Sequence, residues 1–243
     1  MKQLISLALA LILCLALCAC GGNEAKDHGT TGTTGNSGDG GATVPSDPAE
    51  LSPSVGLEFF PYSNGTCAVT GVGTCTDTEI VIPAEWEGFK VTRIDSEAFR
   101  NCSTLISIVI PEGVTYVGYS AFKDCVKLKS VTIPDSVTEI NEDAFKGCYL
   151  LNHVQMSSNL IKIHNEAFDL CYSLTEITIP ASVTHIGLEA FGECTRLATI
   201  HYGGTKEQWA NIIKGILPNS DESDIGFKSC TIYCADGEIV VNN

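Results

Sequence analysis

One stretch of the chain decides its fold: Ile133-Pro134-Asp135-Ser136-Val137-Thr138-Glu139-Ile140-Asn141-Glu142-Asp143-Ala144-Phe145-Lys146-Gly147-Cys148. Its Ala-Phe pair and its cysteine both recur at a step of 23 residues. The pairs are Ala98-Phe99, Ala121-Phe122, Ala144-Phe145, Ala167-Phe168 and Ala190-Phe191, and the cysteines are Cys102, Cys125, Cys148, Cys171 and Cys194. A fixed period in the twenties with apolar residues in register is typical of a solenoid, in which each turn covers the apolar face of its neighbour.

Each turn contains two short strand patterns followed by a tight turn. In this copy, Ser130-Val131-Thr132-Ile133 alternates and ends at a proline, and Val137-Thr138-Glu139-Ile140 alternates again. We predict a turn or a single helical turn over residues 141–148, with Phe145 pointing inward. Stacked turns would lie about 4.8 Å apart, the spacing of hydrogen-bonded strands. The third full unit departs most, with Met156-Ser157 in place of Ile-Pro, but its apolar inward positions predict that its turn is kept.

The repeat unit resembles that of the BspA-like, or treponemal-type, leucine-rich repeat family, which reads leucine, alternating strand, Ile-Pro, Ser-Val-Thr, Ile-Gly, Ala-Phe, Cys. The best copies are 128–148 and 174–194, and the match extends over residues 57–240. The resemblance implies a mainly β solenoid, a leucine-rich-repeat-like right-handed coil with short strands and tight helical turns, closed by a C-terminal helix and strand. It also implies a surface location, because the family is largely surface proteins and some of them are adhesins.

Composition and periodicity divide the chain into five segments. These are a signal peptide over 1–19 that resembles a lipoprotein signal peptide, a Gly/Thr/Ser-rich tether over 20–54, a degenerate N-terminal cap repeat and hairpin over 55–90, repeats over 91–202, and a C-terminal cap over 203–243. In the N-terminal cap, Val69 and Val72 occupy the positions of Val91 and Ile94 at a spacing of 22. Trp86 lies in the hairpin, where we expect it to cover the first coil, and an exposed binding aromatic is the alternative.

The C-terminal cap begins with a helix signal. Thr205 and Gln208 have the spacing of a capping box, so we expect a helix of about ten residues to start there. Trp209, Ile212 and Ile213 would then lie on one face and form a lid over the last open coil. A solenoid needs such a lid, because its terminal turn otherwise exposes an apolar face and free strand edges.

The amino terminus carries an export signal. It opens with Lys2 and runs apolar as far as Leu17, which is typical of a secretory signal peptide. The segment Leu17-Cys18-Ala19-Cys20 resembles a bacterial lipobox, which implies that Cys20 becomes the diacylated first residue of the mature protein. An ordinary signal peptide is the alternative. The polar tract that follows predicts a flexible tether, and we expect the chain to be exported and lipid-anchored at the outer face of a bacterial membrane.

Charge and cysteine placement argue against several functions. The net charge of −15 would repel a phosphate backbone, so we expect no nucleic-acid partner. Cysteines at equivalent places in stacked turns have parallel Cα–Cβ vectors, which disfavours the disulfide torsion, so we expect buried free thiols. A thiolate metal ladder is the alternative, and a bridge between Cys67 and Cys75 stays open. No histidine spacing suggests a metal site, and we expect no cofactor, no catalytic residues and no enzymatic activity.

The candidate binding residues are the outward positions of the strands, which vary from turn to turn while the inward positions do not. The first column is Arg93, Tyr116, Glu139, Lys162 and His185, and the second column is Val109, Thr132, Gln155, Thr178 and His201. Acids also recur just before Ala-Phe, at Glu97, Asp143, Glu166 and Glu189, where a solvated turn edge is expected and a cation or a basic partner is the alternative. We expect a monomeric module that binds an unknown protein or glycan, and a passive envelope spacer is the alternative.

Overall fold

The repeated strand patterns form short strands and the segments between them form turns in the computed structural model, which describes residues 52–215 and 221–242. The elements in these ranges are β1 (Glu58–Pro61), β2 (Thr66–Gly71), β3 (Glu79–Val81), β4 (Glu85–Trp86), β5 (Phe89–Ile94), β6 (Ser107–Val109), β7 (Tyr116–Val117), β8 (Ser130–Thr132), β9 (Glu139–Ile140), β10 (His153–Gln155), β11 (Lys162–Ile163), β12 (Glu176–Ile179), β13 (His185–Ile186), β14 (Thr199–Tyr202), α1 (Lys206–Ala210), β15 (Ile213–Lys214), β16 (Cys230–Cys234) and β17 (Gly237–Val241).

The strands form three sheets. Sheet 1 has the order β1-β2-β5-β7-β9-β11-β13-β15, with β4 also paired to β5; sheet 2 has the order β10-β8-β6-β3, and sheet 3 the order β12-β14-β16-β17. Successive repeats pair in parallel at the 23-residue step, as Lys162 does with Glu139 on one side and His185 on the other. Each repeat adds one strand to sheet 1 and one to sheet 2 or 3. The predicted β solenoid is therefore confirmed.

The core contains a column of phenylalanine rings, one from each turn. Phe145 is fully buried, and its ring centroid lies 5.1 Å from that of Phe122 and 5.3 Å from that of Phe168, with planes 6° apart. Its backbone N–H donates to the carbonyl of Ala167 in the next turn at 2.8 Å. The turn segments therefore stack in register as the strands do, and the predicted inward orientation of Phe145 is confirmed.

The acidic row before Ala-Phe has a backbone role in the turns. The residues at this position have left-handed φ angles: 62° at Glu97, 53° at Ser120, 58° at Asp143, 54° at Glu166 and 49° at Glu189. Such angles are uncommon outside glycine, so each repeat bends sharply at the same place. Asp143 and Glu166 also contact the ammonium of Lys146, which lies 3.0 Å from Asp169 Oδ2. Two residues of the acidic row, Asp143 and Glu166, thus form ion pairs within the fold.

Sheets 2 and 3 are separated at the third full unit. Strands β10 and β12 are sequential neighbours in the solenoid, yet each ends its sheet and they do not pair with each other. This is where Met156-Ser157 replaces Ile-Pro, and Met156 is half-buried whereas Ile133 is fully buried. The inward Leu160 and Phe168 are fully buried, so the turn is kept as predicted. The missing ladder thus coincides with this change of sequence, and the coil continues through it.

The N-terminal cap is a hairpin whose register differs from the prediction. Strands β1 and β2 are antiparallel, and β2 pairs in parallel with β5, with Cys67 opposite Val91 and Val69 opposite Ile94. The alignment of Val69 and Val72 with Val91 and Ile94 was therefore wrong, because an irregularity between Cys67 and Ala68 shifts the register. The predicted hairpin at Trp86 is confirmed, since β4 pairs with β5 and the indole stacks on Phe59 at 5.0 Å.

The C-terminal cap contains the predicted capping box but a shorter helix. Thr205 Oγ1 accepts from the backbone N–H of Gln208, and the Gln208 side chain accepts from the Thr205 N–H. The helix α1 has 5 residues instead of about ten, and within the described ranges no helix is long and apolar enough to span a membrane. Trp209 is buried as predicted. Ile213 was wrongly assigned to the same face: β15 pairs it with His185, and it is 56% exposed.

Candidate functional site

The residues of the first column lie in register on sheet 1, and four of them interact in two pairs. The guanidinium of Arg93 lies 3.9 Å from the ring centroid of Tyr116, a cation–π contact. Lys162 Nζ lies 3.1 Å from Glu139 Oε1, and His185 follows on the next strand. These residues are partly buried as a whole, while the side chains of Arg93, Glu139 and Lys162 are 39–40% exposed. A partner that bound here would have to compete with contacts that the fold already makes.

A histidine outside the first column, His164, also contacts Glu139 of that column. His164 Nε2 lies 3.0 Å from Glu139 Oε2, so the carboxylate contacts a cation and an imidazole at once. The hydrogen bond with His164, together with that from Lys162, lowers the pKa of Glu139 below its ordinary value. The sequence did not indicate His164, because its contact depends on the rotamers of two neighbouring strands.

This contact predicts a small pH dependence. Because the folded-state pKa of Glu139 lies below its ordinary value of 4.5, the ionised carboxylate stabilises the fold above that pH, and this contribution is lost as the pH falls through the folded pKa. We expect Glu139→Gln to lower the free energy of unfolding by less than about 1 kcal/mol near neutral pH, because the pair is partly exposed, and to have no effect in strong acid. Urea unfolding across pH measures this difference. Glu142→Gln is the control, and a penalty that did not change with pH would contradict the prediction.

The second column has the opposite character. Thr132, Gln155, Thr178 and His201 are exposed, and Val109 is half-buried. Within residues 52–215 and 221–242, the side chains of Thr132, Gln155 and Thr178 form no hydrogen bond or ion pair, while His201 stacks on Tyr233 at 5.7 Å. The column bears no Lys, Arg, Asp or Glu side chain. It presents free hydrogen-bonding groups on a rigid backbone.

A groove lies in the second column where the sheets separate. The pairs within each sheet are in register, Val109 with Thr132 with Gln155, and Thr178 with His201. Between Gln155 and Thr178 the ladder is missing, and a cavity of about 390 Å³ opens there. Its lining comprises His153, Val154, Gln155, Met156, Ser158, Thr178 and Pro180, and we call it the groove. The columns revealed two of these residues, and the departure at Met156-Ser157 was the sequence signal for the others.

A smaller cavity of about 290 Å³ lies at the end of the first column. It is lined by Lys162, His164, His185 and the exposed Ile213, among others. Two of these side chains are already engaged, since Lys162 and His164 both contact Glu139. This cavity therefore offers fewer free polar groups than the groove.

The repeats identify the protein family. The sequence profile described as "BspA type Leucine rich repeat region" matches six copies over residues 75–211, which is more than half of the chain. The chain belongs to the BspA-type leucine-rich repeat family.

Two solved structures support the assignment of this BspA-type protein. A leucine rich cell surface protein from Faecalibacterium prausnitzii is 33% identical with a TM-score of 0.60, over 65% of this chain and 40% of that one. A leucine-rich repeat protein from Bacteroides ovatus is 26% identical with a TM-score of 0.52, over 70% of this chain and 53% of that one. The chain thus spans about half or less of the length of these relatives. A comparison with curated proteins finds no match.

The cysteines of the BspA-type repeats belong to the core. Cys125, Cys148, Cys171 and Cys194 are buried and free, while Cys102 is free and half-buried. The thiol of Cys125 donates to the Phe99 carbonyl at 3.0 Å. The thiols of the later turns likewise donate to the phenylalanine carbonyl of the preceding turn. Burial raises the pKa of Cys148 and of Cys171, so both thiols stay protonated. The expected buried thiols are confirmed for these four positions.

Two further sequence questions concern metals and disulfides. Cys67 and Cys75, whose bridge the sequence left open, are both free. In the part of the chain that the structure describes, no cluster of three or more His, Cys, Asp or Glu side chains could hold a metal ion. The groove presents hydrogen-bonding side chains beside apolar surface.

Proposed function

We propose that this protein is a surface-displayed module, held at the membrane by a lipid on Cys20, that binds a protein or glycan through its second column. The observation that supports the proposal most is the contrast between the two columns. The first column pairs its charges within the fold, whereas Thr132, Gln155 and Thr178 of the second column are exposed, uncharged and form no side-chain hydrogen bond within the described residues. A partner at the second column gains hydrogen bonds without breaking existing ones.

The scaffold favours binding because it is already ordered. Each second-column residue sits on a strand held by parallel ladders, so no loop has to be fixed when a partner binds. Rigid presentation reduces the entropic cost of association. The outward side chains can vary while the inward Phe and Cys positions hold the coil, which suits a recognition surface built on a constant frame.

The surface location is proposed on two grounds. The relative from Faecalibacterium prausnitzii is described as a cell surface protein. The segment Leu17-Cys18-Ala19-Cys20 resembles a lipobox, although it lies outside the described residues. A diacylated Cys20 followed by the polar tract over 21–54 would hold the repeats away from the membrane.

The test is adhesion of cells that display the full chain, measured on an array of host proteins and glycans. We expect Thr132→Arg to lower adhesion about tenfold or more, because a bulky cation blocks the second column, whereas Thr138→Arg should leave it unchanged. Both threonines are exposed and lie in the same repeat, so the pair is matched. Adhesion that survives Thr132→Arg would contradict the assigned face.

The same cells distinguish the passive spacer and test the anchor. A spacer predicts that deleting residues 91–202 leaves adhesion to every array member unchanged, which would overturn the binding function. Cys20→Ala should abolish incorporation of a labelled fatty acid and release the chain into the medium, while Cys18→Ala should do neither. Retention of the label in Cys20→Ala would contradict the anchor.

A further inference from the structure

We propose that the groove between β10 and β12 is a binding site for an uncharged sugar ring of a glycan. This inference rests on the proposed function and specifies its ligand class. In the described part of the chain, the strands of successive repeats are paired within sheets 2 and 3, whereas no ladder joins β10 and β12 at the groove between them. The interruption coincides with the replacement of Ile-Pro by Met156-Ser157. A local departure from an otherwise regular repeat thus creates a concave feature.

The groove combines an apolar floor with a polar rim. Met156 and Pro180 are half-buried and contribute apolar surface, while Gln155 and Thr178 stand exposed on the two facing strands. A pyranose ring has the matching character, since its C–H face is apolar and its edge carries hydroxyl groups. The floor would contact the C–H face, and the rim would bind the hydroxyls.

The rim residues are free to bind. In the described part of the chain, no side-chain hydrogen bond is formed by His153, Gln155, Ser158 or Thr178. Amide and hydroxyl side chains can each donate and accept, which suits sugar hydroxyls, because these also do both. A ligand with only acceptors, or with only donors, would leave half of the hydrogen-bonding groups of these side chains unused.

Charge and size narrow the ligand class. No Lys, Arg, Asp or Glu lines the groove, and the chain carries a net charge of −15, so neither a phosphate nor an acidic sugar finds a cation there. The volume of about 390 Å³ lies at the lower end of small-molecule sites, which span about 300–1,000 Å³. A protein partner would need about 800 Å² of surface, far more than the groove offers. One or two neutral sugar rings fit these limits.

The experiment measures binding of the full chain to maltotriose, cellotriose, mannotriose and N-acetyllactosamine, with sialyllactose as the anionic counterpart, by calorimetry. We expect at least one neutral oligosaccharide to bind and sialyllactose to bind more weakly. Gln155→Ala and Thr178→Val should each weaken binding about tenfold, because each removes a hydrogen-bonding group. Thr138→Val, at an exposed threonine outside the second column, is the control and should bind as the native chain does.

A second variant tests the origin of the groove. Met156→Ile with Ser157→Pro restores the sequence of the neighbouring repeats. The Ser157 carbonyl accepts from Leu160 N–H as the Pro134 carbonyl accepts from Val137 N–H, so the backbone turns alike at both positions. Proline removes one contact, since Ser157 Oγ accepts from Asn159 N–H at 3.1 Å. We expect the double variant to fold, to be slightly less stable than the native chain because Asn159 N–H loses its acceptor, and to lose sugar binding.

The outcomes separate this inference from the proposed function. Absence of binding to all four neutral sugars, stronger binding of sialyllactose, or affinity unchanged in Gln155→Ala and Thr178→Val would overturn the sugar site. If adhesion to an immobilised protein is meanwhile lost in Thr132→Arg, the binding function stands with a protein partner. If neither adhesion nor sugar binding depends on the second column, both proposals fail.

Discussion

Phe145→Ala is expected to destabilise the fold by about 3–5 kcal/mol, the range for removing a buried phenylalanine. The ring is fully buried and is stacked between Phe122 and Phe168, at 5.1 and 5.3 Å. In a solenoid each turn is stabilised mainly by its two neighbours, so a cavity in the middle of the column weakens both interfaces at once. Chemical denaturation followed by circular dichroism measures the loss in the free energy of unfolding.

The control for this prediction is another phenylalanine of the same chain. Phe60 is 56% exposed, so Phe60→Ala should change the free energy of unfolding by less than about 1 kcal/mol. Phe145→Leu keeps part of the apolar volume and should fall between the two. A loss below about 1 kcal/mol in Phe145→Ala would show that the phenylalanine column does not stabilise the stacked turns.

The sequence predicted the solenoid because inward positions repeat strictly. A turn that stacks on its neighbour must place the same type of side chain at the same inward position. The recurrence of Phe145 and Cys148 every 23 residues therefore predicts a solenoid. The capping box at Thr205 was also predictable, since it depends on two residues three positions apart. Features set by local spacing are therefore visible in the sequence.

Features that depend on the distance between strands were not predictable. The inward residues at β10 and β12 follow the pattern, and only Met156-Ser157 hinted that the ladder is missing there. The irregularity between Cys67 and Ala68 shifts a register that apolar spacing alone had assigned wrongly. Helix α1 ends at Ala210, so Ile213 joins a strand and turns outward.

The sequence predicted which residues of the candidate site point outward, but it did not predict which contacts their side chains make. Alternation identified the outward residues of both columns, because side chains on a strand point to opposite faces in turn. It could not show that Lys162 and His164 contact Glu139, or that the side chains of Gln155 and Thr178 form no hydrogen bond within the described residues. These facts depend on side-chain reach and on the break between sheets, and they decide which column is free to bind.

The second large effect is expected at the C-terminal lid, where Trp209→Ala should cost about 3–5 kcal/mol. Trp209 is 1% exposed, meets Tyr202 edge-on at 5.1 Å and stacks on Phe227 at 6.1 Å. Its indole N–H donates to Glu222 Oε1 at 3.0 Å, and the ring lies 5.4 Å from the ammonium of Lys214. Removing the indole therefore leaves a cavity and deprives two charged groups of a partner.

Because Trp209 covers the end of the coil, its loss should also affect association. An uncovered terminal turn exposes apolar surface and strand edges that can pair with another chain, so Trp209→Ala should self-associate in size-exclusion chromatography. Trp209→Phe keeps most of the ring contacts and loses the hydrogen bond to Glu222, which predicts a loss of about 1–3 kcal/mol and no association. A Trp209→Ala protein with native stability and a native elution volume would show that the lid is dispensable. Equal losses in the two variants would instead assign its effect to the hydrogen bond alone.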